Sequence, residues 1–210
     1  MKILGVVGSA RRDGQTNRLV RTVLDHMQIG ESSIEADLIH TAGLDIAPCR
    51  VVCADFCKRN PYQCSITDAV PEIFEKMRQA DALVIGAPQY FRGPPADFYT
   101  MAERMVSMCF FPESQGGAVF SSPLAGKPCG LVAVAEYSNP QGILEYLNDF
   151  CLLLGMKPVS IDSFPHFGVG GHGDIDGDGT FRPLDRAREL GEALLHAVSP
   201  DPNATTASSV

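Results

Sequence analysis

Apolar and polar positions along the chain alternate between two periods. The run at 2–7 is continuously apolar after its lysine and predicts a buried strand. From 17 to 27, Leu19, Val23 and Met27 recur on one face with Val20 and Leu24 beside them, the spacing of an amphipathic helix. At 33–39, Ile34, Ala36 and Leu38 alternate with polar residues, as in a strand. A long irregular stretch, 40–67, follows. Asp68 then offers a cap for a helix to about residue 79, with Pro71 in its first turn. Residues 82–86 form a short apolar strand, and Pro94-Pro95 opens a helix to about 108. After a loop containing Gly116-Gly117, a strand is expected over 127–135 and a helix over 140–154, stopped by Gly155. The last strand falls at 159–163. A glycine- and aspartate-rich loop spans 168–180, a helix spans 183–198, and the polar tail 200–210 is expected to be disordered.

Short apolar runs interleaved with helices imply a parallel sheet covered on both faces. The expectation is one α/β domain over 1–199, a flavodoxin-like doubly wound five-stranded parallel sheet with helices on both faces and right-handed crossovers. Residues 47–67 are a cysteine-rich insertion within it. The 210 residues suffice for one substantial core. No run approaches the ~18 apolar residues of a membrane span, and no apolar leader follows the first lysine, so a cytoplasmic protein is expected. The net charge of -8, with no basic stretch longer than Arg11-Arg12 or Lys58-Arg59, argues against nucleic acid as a partner. Seven cysteines, an odd number, argue against a disulfide framework.

In such a sheet ligands gather outside the carboxyl ends of the strands. Three loops should meet there: 8–17, 87–95 and 135–142. The first, GSARRDGQTN, leads from a strand into a helix N-terminus, whose free N–H groups and dipole favour an anion. Ser9, Thr16, Gln15 and Asn17 add hydrogen-bond donors, and Arg11 adds charge. The loop lacks the lysine of a Walker A motif and the spacing of a Rossmann fingerprint, so it suits a monophosphate; a plain capped turn is the alternative. The second loop, APQYFRGPP, holds Tyr90 and Phe91 out of regular structure. The third, AEYSNPQG, brings Glu136, Tyr137 and Ser138 to the same crevice. A phosphate site beside two loops suited to a flat ring suggests flavin mononucleotide.

The run Gly8 to Thr16, G-S-x-R-x-x-G-x-T, resembles the phosphate loop of NADPH-dependent FMN reductases and iron–sulfur flavoproteins. So does ADALVIGAPQYFRGPPADF, 80–98, together with LAGKP at 124–128 and LLGM at 153–156; the resemblance spans roughly 2–160. It implies that Ser9, Arg11, Gln15, Thr16 and Asn17 hold the phosphate. Pro88, Gln89, Tyr90 and Phe91 would line the ring, and Glu136, Tyr137 and Ser138 would cover its other edge. At the third loop relatives often carry glycines, and Glu136-Tyr137 is bulkier and acidic. The resemblance further implies an FMN-dependent oxidoreductase taking electrons from NAD(P)H or a ferredoxin-like donor. Its partner would be a small molecule or a redox protein, not a membrane, and it would assemble as a homodimer or homotetramer. A catalytic side-chain acid or base is not required, because flavin hydride transfer needs none. A non-enzymatic electron carrier is one alternative, and a phosphate-binding hydrolase or regulatory module is another.

Cys49, Cys53, Cys57 and Cys64 crowd into sixteen residues, a set of thiolates able to bind an iron–sulfur cluster or zinc. The iron–sulfur flavoproteins resemble this stretch from Pro48-Cys49 to Asp68, although their first two gaps are usually two residues rather than three. That resemblance favours a [4Fe-4S] cluster. On a helix, Cys49, Cys53 and Cys57 would share one face; four reduced thiols without a metal are the alternative. Cys109, Cys129 and Cys151 read as core residues. Asp174, Asp176, Asp178, Gly179 and Asp185 match a calcium-loop pattern, but the terminal ligand is Asp, Pro183 lies close before it and no helix enters, which favours a solvated turn. His166 and His172 near this loop are assigned no role.

Overall fold

The computed structural model describes residues 1–50, 54–109, 122–161, 166–173, 175 and 182–199. In chain order its elements are β1 (Lys2–Val7), α1 (Gln15–Gly30), β2 (Glu35–His40), α2 (Ala54–Arg59), α3 (Val70–Gln79), β3 (Ala82–Pro88), α4 (Ala96–Arg104), β4 (Pro128–Ala135), α5 (Gln141–Leu153), β5 (Lys157–Pro158), β6 (Val169–His172) and α6 (Pro183–Val198). A 3-10 turn, Met105–Met108, continues α4 where the sequence pattern implied unbroken helix. The strands pair in the order β2-β1-β3-β4-β5, all in parallel, and β6 also pairs with β4. This is the expected flavodoxin-like order.

Side-chain alternation along the strands divides the core into two layers. Leu4, Val6, Leu83, Ile85, Leu131 and Ala133 pack with α3, α4 and α5 on one face. Ile3, Val7, Val84, Val132 and Val134 pack with α1 and α6 on the other. The central strands are apolar on both sides because both sides are covered. Cys109, Cys129 and Cys151 lie in this core. Burial pushes the Cys109 thiol up to about 11, and burial together with contact with Cys129 pushes Cys151 well up.

The last strand differs from the expectation at 159–163. β5 meets the start of β4, Pro128 and Cys129, while β6 pairs with its end, Val132 to Ala135. Because β3 occupies the other edge of β4, β5 and β6 lie in succession along one edge, like a single fifth strand interrupted in the middle. The expected loop at 168–180 therefore contains a strand. It regains the sheet at Gly168, where a Cβ would sit well inside van der Waals contact distance of the Leu131 carbonyl oxygen. The tail at 200–210 lies outside the described residues.

Candidate functional site

The carboxyl ends of β1, β3 and β4 surround a cavity of about 610 Å³, in the range of small-molecule and cofactor sites. The first wall is the β1–α1 loop, with Ser9, Arg11, Asp13, Gly14, Gln15, Thr16 and Arg18. Ser9, nearly buried, closes a tight turn: the Arg11 N–H donates to its Oγ at 3.2 Å, and the Gly14 N–H donates to the Arg11 carbonyl at 3.1 Å. Helix α1 then begins at Gln15. Its N-cap, Gly14, has no side chain to cap with, and no acidic residue stands in the first turn. The first amides of α1 thus keep their donors toward the cavity end, the arrangement that attracts an anion. Asn17 differs from its expected role. Its Nδ2 donates to the Arg12 carbonyl, so the amide braces the loop from behind, and its buried Oδ1 has no partner among the described residues.

The second wall comes from the end of β3. The Gln89 N–H donates to the Val134 carbonyl at 2.7 Å, extending the β3–β4 ladder past the sheet and fixing Pro88 and Gln89 over the cavity. Among the described residues Gln89 Oε1 is buried without a partner, an acceptor left for an N–H donor. Tyr90 and Gly93 pair as an antiparallel bridge around a two-residue turn. Both turn residues have positive φ, 47° at Phe91 and 68° at Arg92, where Asn-Gly is usual. The strained turn leaves Phe91 wholly exposed at the rim, 106%, with Tyr90 half-exposed. Arg92→Gly should relieve that strain and raise stability by about 1 kcal/mol, read as a higher melting temperature of the apoprotein; a lower one would show that the turn draws support from the arginine side chain.

The third wall is Val134, Glu136 and Tyr137. Tyr137 is 94% exposed. Ser138 is exposed and is not among the lining residues. The Gly173 N–H at the end of β6 donates to the Ala135 carbonyl at 3.2 Å, tying the third loop to the interrupted fifth strand. Ten of the twelve residues expected around a cofactor thus line one cavity; Asn17 and Ser138 do not.

The cysteine segment is less preformed. Cys49, Cys57 and Cys64 are reduced and half-buried, outside the core; Cys53 lies outside the described residues. Helix α2 begins at Ala54 and residues 48–50 are not helical, so the expected three-cysteine helical face does not form. Among the described residues no group of three His, Cys, Asp or Glu side chains stands close enough to hold a metal. The chemistry of the donors, thiols on one surface stretch, still suits iron or zinc. Of the calcium-pattern residues only Asp185 is described. It accepts from Arg182 at 3.0 Å and Arg188 at 2.7 Å, an ion-paired first turn of α6.

The profile of the NADPH-dependent FMN reductase family matches residues 1–166. An iron-sulfur flavoprotein of Methanocaldococcus jannaschii is 31% identical over 203 residues, 94% of this chain and 97% of its own length. An iron-sulfur flavoprotein of Methanosarcina thermophila is 28% identical over 171 residues, 80% of this chain and 81% of its own length. Among solved structures, RosB with a bound 8-demethyl-8-formylriboflavin-5'-phosphate intermediate shares the fold, with a TM-score of 0.66 at 17% identity over 94% of this chain and 79% of RosB.

Proposed function

Because this chain belongs to the NADPH-dependent FMN reductase family, we propose that its three-walled cavity holds FMN and that the protein passes electrons from NAD(P)H or a ferredoxin-like donor to an acceptor. The observation that carries this reading is the cavity itself. One end offers the uncapped α1 N-terminus with Ser9, Thr16 and Arg11; the other offers two exposed aromatics and a buried acceptor without a partner among the described residues.

The side chains divide the work. Ser9, Arg11, Gln15 and Thr16 supply donors and charge for a phosphate, aided by the α1 amides. Gln89 Oε1 would accept from a ring N–H and so orient the ring. Pro88, Tyr90 and Phe91 would line one side of the ring, and Glu136 and Tyr137 the other. Cys49, Cys53, Cys57 and Cys64 would hold a [4Fe-4S] cluster. Bound FMN would supply hydride acceptance and one-electron exchange, and a cluster one-electron storage. The acidic and bulky Glu136-Tyr137 pair stands where a nicotinamide would approach, which favours the carrier reading as the second possibility: electrons delivered by a protein. A homodimer or homotetramer in the cytoplasm completes the proposal.

Anaerobic purification tests it. We expect a yellow protein that releases stoichiometric FMN on denaturation and contains iron with acid-labile sulfide. NADPH oxidation with a quinone acceptor then separates enzyme from carrier. A colourless preparation that FMN fails to reconstitute would overturn the flavin reading, and flavin without iron would overturn the cluster.

A further inference from the structure

Helix α4 ends inside the protein on a charge. Arg104 is 1% exposed and Asp68 2%. The guanidinium forks onto the carboxylate, NH1 donating to Oδ2 at 2.6 Å and NH2 to Oδ1 at 3.2 Å. The same two nitrogens reach the backbone: NH1 donates to the Ala47 carbonyl at 2.8 Å and NH2 to the Ile66 carbonyl at 3.4 Å. Asp68 accepts in turn from the Ala47 N–H at 2.9 Å and the Val70 N–H at 3.1 Å. Ala47 lies two residues before Cys49, and Ile66 two residues after Cys64. The cysteine segment therefore leaves and returns at one guanidinium. The Cys64 side chain is a further partner of that guanidinium. Among the described residues the Arg104 Nε–H is buried with no partner.

A buried ion pair contributes little net stability compared with apolar packing, and a buried donor without an acceptor is costly. Stability alone does not account for the arrangement. Its geometry points to the segment it closes.

We propose that Arg104 is the positioning residue of the cysteine segment: it sets the spacing of Cys49 and Cys64 and hydrogen-bonds the sulfur of the iron–sulfur centre they bind. This rests on the cluster reading above. A cationic donor beside cluster sulfur favours the more negative, reduced state, so Arg104 raises the cluster's reduction potential.

The test uses full-length, anaerobically prepared protein. Wild type, Arg104→Lys and the double variant Arg104→Met with Asp68→Met are compared; the double variant removes both buried charges together and so avoids leaving one unpaired. Three quantities are read: FMN and iron content, cluster midpoint potential from an EPR-monitored dithionite titration, and iron loss to a chelator. We expect both variants to retain FMN and to lose iron at least tenfold faster, and the double variant, which has no cationic donor, also to titrate at lower potential. Wild type labelled with ¹⁵N-arginine should also show a guanidinium nitrogen coupling in pulsed EPR of the reduced cluster, a readout that survives failure of either variant to fold. Iron-loaded wild type without that coupling, or folded variants with unchanged potential and iron retention, would overturn the role of Arg104 alone. Wild type that holds FMN but no iron would overturn the cluster reading and this proposal with it.

Discussion

A Ser9→Ala, Thr16→Val double variant is expected to bind FMN about a thousandfold more weakly than wild type and riboflavin about as well. Each hydroxyl that donates to a charged group is worth about 1.5–3 kcal/mol. Two together supply about 3–6 kcal/mol, and each ~1.4 kcal/mol is tenfold in affinity. Both residues line the cavity at its phosphate end and are almost fully buried, so water cannot readily replace them. Thr16→Val keeps the branched shape that packs near Gly86, and Ser9→Ala removes two hydrogen bonds within one turn, from the Arg11 N–H at 3.2 Å and to the Arg11 carbonyl at 3.4 Å, so the apoprotein should melt only slightly below wild type. Titration by flavin fluorescence quenching measures both ligands. Riboflavin lacks the phosphate and serves as the internal control. Equal losses for the two flavins would mean that the variant damaged the ring pocket, and unchanged FMN affinity would remove the phosphate from the α1 N-terminus.

The loops that form this cavity could be read from the chain because a parallel sheet leaves few choices. Once 2–7, 82–86 and 127–135 read as strands, the segments after them had to meet at one edge. What the pattern could not carry was direction within a loop. Asn17 has the right chemistry for an anion, but its amide turns back to the Arg12 carbonyl, and no spacing rule encodes that choice. Asp68 read as a helix cap; the N-cap position is Ala69, without a side-chain cap, and Asp68 one residue earlier accepts from the Val70 N–H. Both its oxygens also accept from Arg104, thirty-six residues on, and such a pairing has no local signature. The strained Phe91-Arg92 turn hid for the opposite reason: neither residue is one that turn chemistry selects. The three cysteines do not share one helix, because residues 48–50, Cys49 among them, are not helical and α2 begins at Ala54. The interrupted fifth strand was missed because Gly-Val-Gly-Gly-His carries the composition of a loop, glycine being depleted in strands.

That composition has a cause, and it makes Gly168→Ala the substitution with the largest expected effect on stability. The chain rejoins β4 at Gly168 so closely that a methyl group would overlap the Leu131 carbonyl oxygen and also press on its carbonyl carbon and Cβ, each 3.0 Å away. A flexible side chain could move aside. The Leu131 backbone cannot, because it belongs to a central strand paired with β3 on its other edge. The cost therefore falls at the upper end of overpacking, about 3 kcal/mol, or a melting temperature lower by about 6–12 °C for a chain of this size. Relief is available only by peeling β6 from Val132 to Ala135. That movement breaks the Gly173 to Ala135 hydrogen bond and loosens the loop bearing Glu136 and Tyr137, so FMN affinity should fall along with stability. Gly142→Ala is the control: it lies in the first turn of α5 with open space around the added methyl, and alanine there should stabilise by up to about 1 kcal/mol. If Gly168→Ala melts within a degree of wild type, β6 does not close the edge of β4 in solution, and the third wall of the cavity must be held by something other than the returning strand.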